Sequence, residues 1–341
     1  MDNISDLNNS YRPPLHMNFK FLIPILMIIS VVAIFSNFYN LIIIYRKPGL
    51  RDFRKSFLTY LNITDLCTGI VTIPCLIIAL WYQDGDAVCQ VQGFFASFCT
   101  GMATFLSCAI ALDRCYAVTY PYQYLASVDS RRNNIAIITA CIISIIFALL
   151  PSLPKPLTGL GKYRIQNLCW ISLTVSNENY ITITMAAINA IVTIVVFISS
   201  YSITFYTAYI KSRSNFASYG SIKKSIRTTS LIVGTNGICW LPVMISGTIS
   251  AVHFLLYNKI YKISIYVQVI ALTLVYLNAA TNPLIYAGTN EILRKEYKKL
   301  ILKLHSNIMS VCHNQAVISF LPNRETSRVI TINIKENSLP M

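Results

Sequence analysis

The chain predicts an all-α membrane protein, a seven-transmembrane helix bundle with a short amphipathic eighth helix. Three observations predict it. Seven apolar stretches each reach the ~20 residues that cross a ~30 Å hydrocarbon core. The lysines and arginines gather on alternate connecting segments, 21 of the 28 on one side, as a multi-span protein requires. Prolines stand inside two of the stretches, at Pro242 and Pro283. A proline removes a helical hydrogen bond, and in lipid that defect persists only where neighbouring groups satisfy what it frees. A composition 55% hydrophobic and 12% charged over 341 residues agrees with this class and excludes an ordinary soluble domain.

The first stretch, 21–45, carries Asn37. Met1-Asp2-Asn3 lacks the basic region of a cleavable signal, so this stretch is expected to act as its own anchor. The second, 58–81, holds Asp65, the one acidic or basic residue deep in any stretch. An ionisable group at that depth is costly and marks a functional position by default. The third, 91–116, closes on Asp113-Arg114, and the fourth, 135–152, is near the lower length limit. After the fifth, 180–209, the sixth, 228–253, contains Cys239-Trp240-Leu241-Pro242. The seventh, 263–286, contains Asn278, Asn282, Pro283 and Tyr286. Asn278, Asn282 and Tyr286 are spaced by four and share one helical face. Two proline defects in neighbouring spans, both beside polar or aromatic side chains, point to helices that bend or rotate.

Orientation follows from charge. The basic-rich side takes Arg46 to Lys55, Arg114 to Arg132, Lys211 to Arg227 and everything from Arg294 onward, and should be cytoplasmic. The N-terminus is then extracellular. The net charge of +15 is accounted for by basic loops beside an anionic leaflet of membrane lipids, with no nucleic-acid partner needed. Asn3 and Asn8 begin glycosylation triplets in the short leader. Asn62 begins a third, but inside a span. Cys89 and Cys169 fall outside, where oxidising conditions permit a pair. A bridge there would tie the long loop across the mouth of the bundle, contributing up to about 4 kcal/mol through chain entropy.

The resulting division is an extracellular glycosylated N-terminus over 1–20, a seven-span domain over 21–288, an amphipathic helix over 289–305 and a cytoplasmic tail over 306–341. In that helix Leu293, Tyr297, Leu300, Ile301 and Leu304 lie on one side, suiting a helix at the membrane surface. Cys312 just beyond it is a candidate for palmitoylation.

The run Asp113-Arg114-Cys115-Tyr116, followed by Pro121-Tyr122, resembles the rhodopsin-like (class A) G protein-coupled receptors. The resemblance extends from about residue 21 to 304, with one motif per span in the right order. Asn37 matches the first-span asparagine, and Leu61 with Asp65 the second-span pattern. Cys89 and Cys169 match the disulfide cysteines, and Cys239-Trp240-Leu241-Pro242 and Asn282-Pro283-x-x-Tyr286 the last two spans' signatures. The resemblance implies a receptor that senses an extracellular ligand and activates a heterotrimeric G protein, and no cofactor. Coupling is expected at Asp113, Arg114, Pro121, Tyr122, Tyr201 and Tyr286. Switching is expected at Asn37, Asp65, Trp240, Pro242, Asn278, Asn282 and Pro283.

Departures from the family pattern are also visible. Cys115 replaces a tyrosine, Cys141 a tryptophan and Thr193 a proline. Asn236 stands where a phenylalanine is usual and Ala103 where a serine is usual, and no acid stands near Ile222 to pair with Arg114. Ala103 weakens the oxygen shell for a sodium ion at Asp65. Ala96 in place of an aspartate disfavours a biogenic amine ligand, and Tyr276 in place of a lysine disfavours retinal. The competing reading, a multi-span transporter or channel, needs a polar file through several spans, which a single Asp65 does not provide. No span carries paired carboxylates, a nucleophile with its base or a metal-ligand cluster, so an enzyme is not expected.

Overall fold

The computed structural model describes residues 19–48, 56–82, 86–127, 130–153, 159–164, 168–213 and 219–320. Among these, regular structure is helical apart from an isolated bridge between Arg164 and Trp170. Seven helices are long and apolar enough to cross a membrane: Phe19–Arg46, Phe57–Tyr82, Ala87–Thr119, Arg131–Ser152, Tyr180–Lys211, Gly234–Tyr257 and Ile265–Thr289. They are numbered here as spans one to seven. The seven-span bundle expected from the sequence is the fold.

Most helices run beyond the expected apolar limits, because helix continues past the hydrocarbon wherever no breaker stops it. The helix of span six starts at Tyr219 and that of span five ends at Arg213. Span one opens with a proline in its first turn, where a missing N–H costs nothing, after a 3₁₀ turn at Phe19–Leu22. Span four ends in a 3₁₀ turn, Leu150–Ser152, containing Pro151. Span five has no proline and is an unbroken helix through Thr193.

Span two departs from expectation. Its α-helix Phe57–Cys67 passes through a π turn, Thr68–Thr72, before resuming at Ile73–Tyr82. Pro74 follows that turn and cannot donate to it, and the widened turn absorbs the missing bond. Ser30 of span one donates to the Gly69 carbonyl within the turn at 2.8 Å. A Cβ on Gly69 would stand 3.0 Å from Ile34 and 3.2 Å from Ala33, so glycine lets the two spans approach.

One core joins spans one, two and seven through Leu26, Ala33, Ile73, Leu76, Leu272 and Tyr276. A second joins spans two, three and four through Leu61, Met102, Leu106 and Ala140. The outer faces stay apolar, with Ile188, Ile191, Val195 and Ile198 exposed along span five alone. In water such a surface would aggregate; against lipid it is solvated.

The chain from Glu291 forms a separate unit. It is helical over Glu291–Phe320, fifteen residues beyond the expected end at 305. No glycine or proline interrupts it before Pro322. Lys295–Glu291 and Lys299–Glu296 pairs, at 2.9 and 3.1 Å, reinforce its first turns.

Candidate functional site

The polar groups of the bundle form three levels, from the Cys89 end to the Arg114 end. At the first, Cys89 and Cys169 are disulfide-bonded with Cα atoms 4.9 Å apart, and both are fully buried. The bridge holds the loop after span four against span three. Val175 of that loop donates its N–H to Ser250 Oγ of span six at 2.8 Å, and Ile263 N–H donates to Thr174 Oγ1 at 3.0 Å. The loop is therefore tied to spans three and six and to the segment leading into span seven. Tyr163 is driven into the same end. Its hydroxyl donates to the Ala148 carbonyl at 3.1 Å and pairs with the Ser97 hydroxyl at 2.8 Å. Its ring lies where a Cβ on Gly93 would be, 2.2 Å from the Tyr163 Cγ, so only glycine fits there. Burial pushes the Tyr163 phenol well up, and it remains a neutral donor.

Beneath the loop, Gln92 Nε2 donates to the Tyr276 hydroxyl at 2.9 Å, joining spans three and seven. Ala96 is fully buried one turn on. This level contains a neutral polar pair and no charge at the Ala96 or Tyr276 position.

The middle level surrounds Asp65, which is 2% exposed. Asn282 Nδ2 donates to Asp65 Oδ2 at 2.9 Å. Asn37 Nδ2 donates to the carbonyls of Ala33 and Ala279, both at 2.9 Å. Asn40 Nδ2 reaches Asn62 Oδ1 at 3.4 Å and the Pro283 carbonyl at 3.5 Å. Asn278 and Trp240 line a very small cavity with Asp65, about 10 Å³, but Asn278 Oδ1 is buried with no hydrogen-bond partner among the described residues. Asp65 and Asn282 are thus brought into contact, while Asn278 only faces the same space. For a sodium ion, Asp65, Asn278, Thr68 and Thr100 supply oxygens, but Cys99 and Ala103 in the same wall supply none. Hard cations take about six oxygens, so these residues fit the ion poorly. Groups of three or more His, Cys, Asp or Glu side chains that could hold a metal are absent among the described residues.

On the other side of Trp240, Asn236 Nδ2 donates to Ser107 Oγ at 2.8 Å, joining spans six and three where the family usually has phenylalanine.

The third level is the Arg114 end. Asp113 accepts from Arg114 at 3.1 Å and from the Tyr124 hydroxyl at 3.2 Å, and Arg132 stands 3.8 Å away. The adjacent arginine is therefore one of three groups on this carboxylate. Burial, then the Asp113 charge, pushes the Tyr124 phenol up, which keeps it a donor. Tyr124 sits on a short helix, Pro121–Ser127, that begins with proline at its first position. Tyr122 on that helix is 78% exposed. Lys211 of span five donates to the Val118 carbonyl of span three. Tyr201 and Tyr286 lie within electrostatic reach of Arg114, and the buried Tyr286 hydroxyl has no hydrogen-bond partner among the described residues.

Sequence reasoning did not single out Gln92, Tyr163, Tyr124, Arg132 or Lys211. A signal existed for Gln92, a polar residue amid the apolar third span, and for the π turn, in Pro74 just after it. Asn3 and Asn8 lie outside the described residues. Cys312 lies within the C-terminal helix, but its side chain is not described.

Residues 36–286 match the 7 transmembrane receptor (rhodopsin family) profile. The chain belongs to that family. It is 25% identical over 290 residues to melatonin receptor type 1A of Mus musculus, covering 82% of this chain and 80% of that one. It is 23% identical over 298 residues to growth hormone secretagogue receptor type 1 of Oryctolagus cuniculus, covering 80% and 77%. As a member of the family, the receptor is a multi-pass membrane protein that responds to an extracellular ligand and signals through G proteins.

Proposed function

We propose that the Cys89 end faces outward and receives the ligand, and that the Arg114 end faces the cytoplasm and engages a heterotrimeric G protein. The observation that carries this reading is the pairing of a disulfide-tethered loop at one end with the Asp113, Arg114, Tyr124 and Arg132 cluster at the other. The bias of 21 basic residues toward the Arg114 side supports the orientation.

The ligand's deep end is uncharged in this reading. The level beneath the loop offers the Gln92–Tyr276 pair and no counter-ion, which argues against biogenic amines and retinal alike. The two relatives above are named for different ligands, melatonin and growth hormone secretagogues, so neither name transfers.

Agonist contacts favour one packing of spans six and seven, moving Trp240 and the Asn282–Tyr286 face about the Pro242 and Pro283 defects. A ligand shifts that equilibrium only by its differential affinity; ~100-fold corresponds to roughly 2.7 kcal/mol. The opened Arg114 end takes a helix of the G protein between Arg114, Tyr201, Tyr286 and the Pro121-Tyr122 helix. Asn3 and Asn8 carry glycans, Cys312 carries palmitate as a second membrane anchor, and sodium binds weakly at Asp65.

The deciding experiment reconstitutes the purified chain in lipid nanodiscs with a panel of G proteins and measures nucleotide exchange with and without ligand pools. Accelerated exchange on at least one G protein is expected. No acceleration on any of them, with or without ligand, sinks the reading. Loss of a glycan mass shift in Asn3→Gln/Asn8→Gln tests the orientation separately. Hydroxylamine-sensitive palmitate labelling that survives Cys312→Ser would exclude that cysteine as the only site.

A further inference from the structure

Between spans three, five and six lies a cavity of about 270 Å³, on the far side of Trp240 from Asp65. It is separate from the space beneath the disulfide-tethered loop, and three features describe what would fill it.

The first is where it opens. Its rim includes Ile194, Ile238 and Leu241, which are 37%, 69% and 47% exposed on the outer faces of spans five and six. Those faces are covered by acyl chains in a bilayer. A molecule reaching the cavity from the rim comes out of the membrane.

The second is what keeps it open. Gly234 and Gly237 lie in its wall, and a Cβ built on either meets nothing within 4 Å. Glycine inside a helix costs about 1 kcal/mol relative to alanine. Two of them one turn apart, with no close approach of backbone to explain either, leave room for something other than this chain.

The third is polarity. The walls are otherwise apolar, and two acceptors in them lack donors. Asn236 donates to Ser107, but its Oδ1 is buried with no hydrogen-bond partner among the described residues. Ile238 is the residue four before Pro242, so its carbonyl loses its helical donor. The Thr104 hydroxyl is already given to the Thr100 carbonyl at 2.9 Å. Two acceptors without a donor call for a ligand that brings one.

We propose that this cavity is a second binding site, for a small uncharged amphiphile that enters from the membrane, with an apolar body of ring size and one hydroxyl. The hydroxyl donates to Asn236 Oδ1, and the body lies against Trp240, Phe197 and Met244. The volume is near the lower end of small-molecule sites, roughly 300–1,000 Å³, which excludes a large ligand. The site touches Trp240, so occupancy biases the packing of span six beside the Pro242 defect.

The test uses the full chain in phosphatidylcholine nanodiscs and a diazirine-bearing alkylphenol as photoprobe, with its methyl ether as the donor-free control. Labelled peptides are read by mass spectrometry, so the outcome does not depend on any G protein. Label is expected to concentrate at Ile194, Phe197, Ile238 and Leu241, and to be competed away by the unlabelled alkylphenol. The methyl ether and the Asn236→Leu variant should each lower labelling about tenfold, as one lost hydrogen bond to a buried acceptor implies. Gly237→Leu, which fills the space, should abolish it. Competition in the unaltered protein needs no variant to fold. Label spread evenly over the lipid-facing helices, label that excess alkylphenol does not displace, or equal labelling by the methyl ether would each overturn the proposal.

Discussion

Asn37 donates its amide to the carbonyl of Ala279 at 2.9 Å, and Ala279 is the residue whose carbonyl Pro283 leaves without a helical donor. Proline lacks the N–H that would close the bond to the residue four before it. In water a solvent molecule could replace that donor. In a bilayer a neighbouring helix, an ordered water or a local helix adjustment must do so, and here span one supplies the donor. The same asparagine donates to Ala33 of its own helix, so one amide ties span one to the defect in span seven and is fully used as a donor.

Removing that amide should leave a buried carbonyl unsatisfied, at a cost of about 1–3 kcal/mol. Asn37→Ala is expected to lower the melting temperature of the purified receptor by several degrees. In a Pro283→Ala background the helix regains its own donor, so the same substitution should cost clearly less. A melting series on the two single variants and the double variant measures this. Equal losses in both backgrounds would disconnect Asn37 from the proline defect.

The disulfide offers a second double-variant test. Cys89 and Cys169 hold the loop that carries Val175 and Thr174 over spans six and seven. Cys89→Ser and Cys169→Ser should each impair surface delivery or ligand binding, and the double variant should be no worse than either. Surface labelling of the three variants decides it, since additive losses would mean separate roles.

The spans, their order and the cysteine pair are legible in the sequence because each depends on local chemistry. Apolar length answers to bilayer thickness, and Cys89 and Cys169 fall at the same end of the spans. The Asp65–Asn282 bond joins residues 217 apart, and is legible only because Asp65 stands alone among seven apolar spans. The other contacts lack such a signal. Tyr163 is one tyrosine among 21, and its insertion against Gly93 depends on the path of a loop. Tyr124 and Arg132 reach Asp113 from elements whose rotation no periodicity specifies. The C-terminal helix runs past 305 because the apolar pattern ends there while helix-compatible residues continue to Phe320. Pattern marks what must be buried, and the absence of breakers marks where a helix can go on.

Sodium provides a third prediction. Asp65 already accepts from Asn282, and Ala103 and Cys99 contribute no oxygen to the small space beside it. A hard cation therefore finds too few ligands, and sodium should inhibit agonist binding only weakly. Radioligand binding across a sodium series checks it. Strong inhibition at millimolar sodium that disappears in Asp65→Asn would overturn it. Ala103→Ser should increase sodium sensitivity by restoring a hydroxyl.

The last prediction concerns the Arg114 end. Asp113 holds Arg114 at 3.1 Å and is itself held by Tyr124 and faced by Arg132. Span six has no acid near Ile222 to pair with the arginine, and this cluster restrains it from the span-three side. Neutralising the carboxylate in Asp113→Asn should release Arg114 and raise ligand-independent nucleotide exchange. Tyr124→Phe removes one hydrogen bond while leaving the charge, and should raise basal exchange less. Arg114→Ala should lower G protein coupling at matched surface levels, because its guanidinium, which can serve several acceptors at once, is the group offered to the G protein. If all three residues were only anchors at the membrane border, the variants would lose surface expression and keep their exchange rate per receptor. Surface labelling and nucleotide exchange measured together separate the two outcomes. Normal coupling by Arg114→Ala at matched surface levels would remove the central residue from the mechanism.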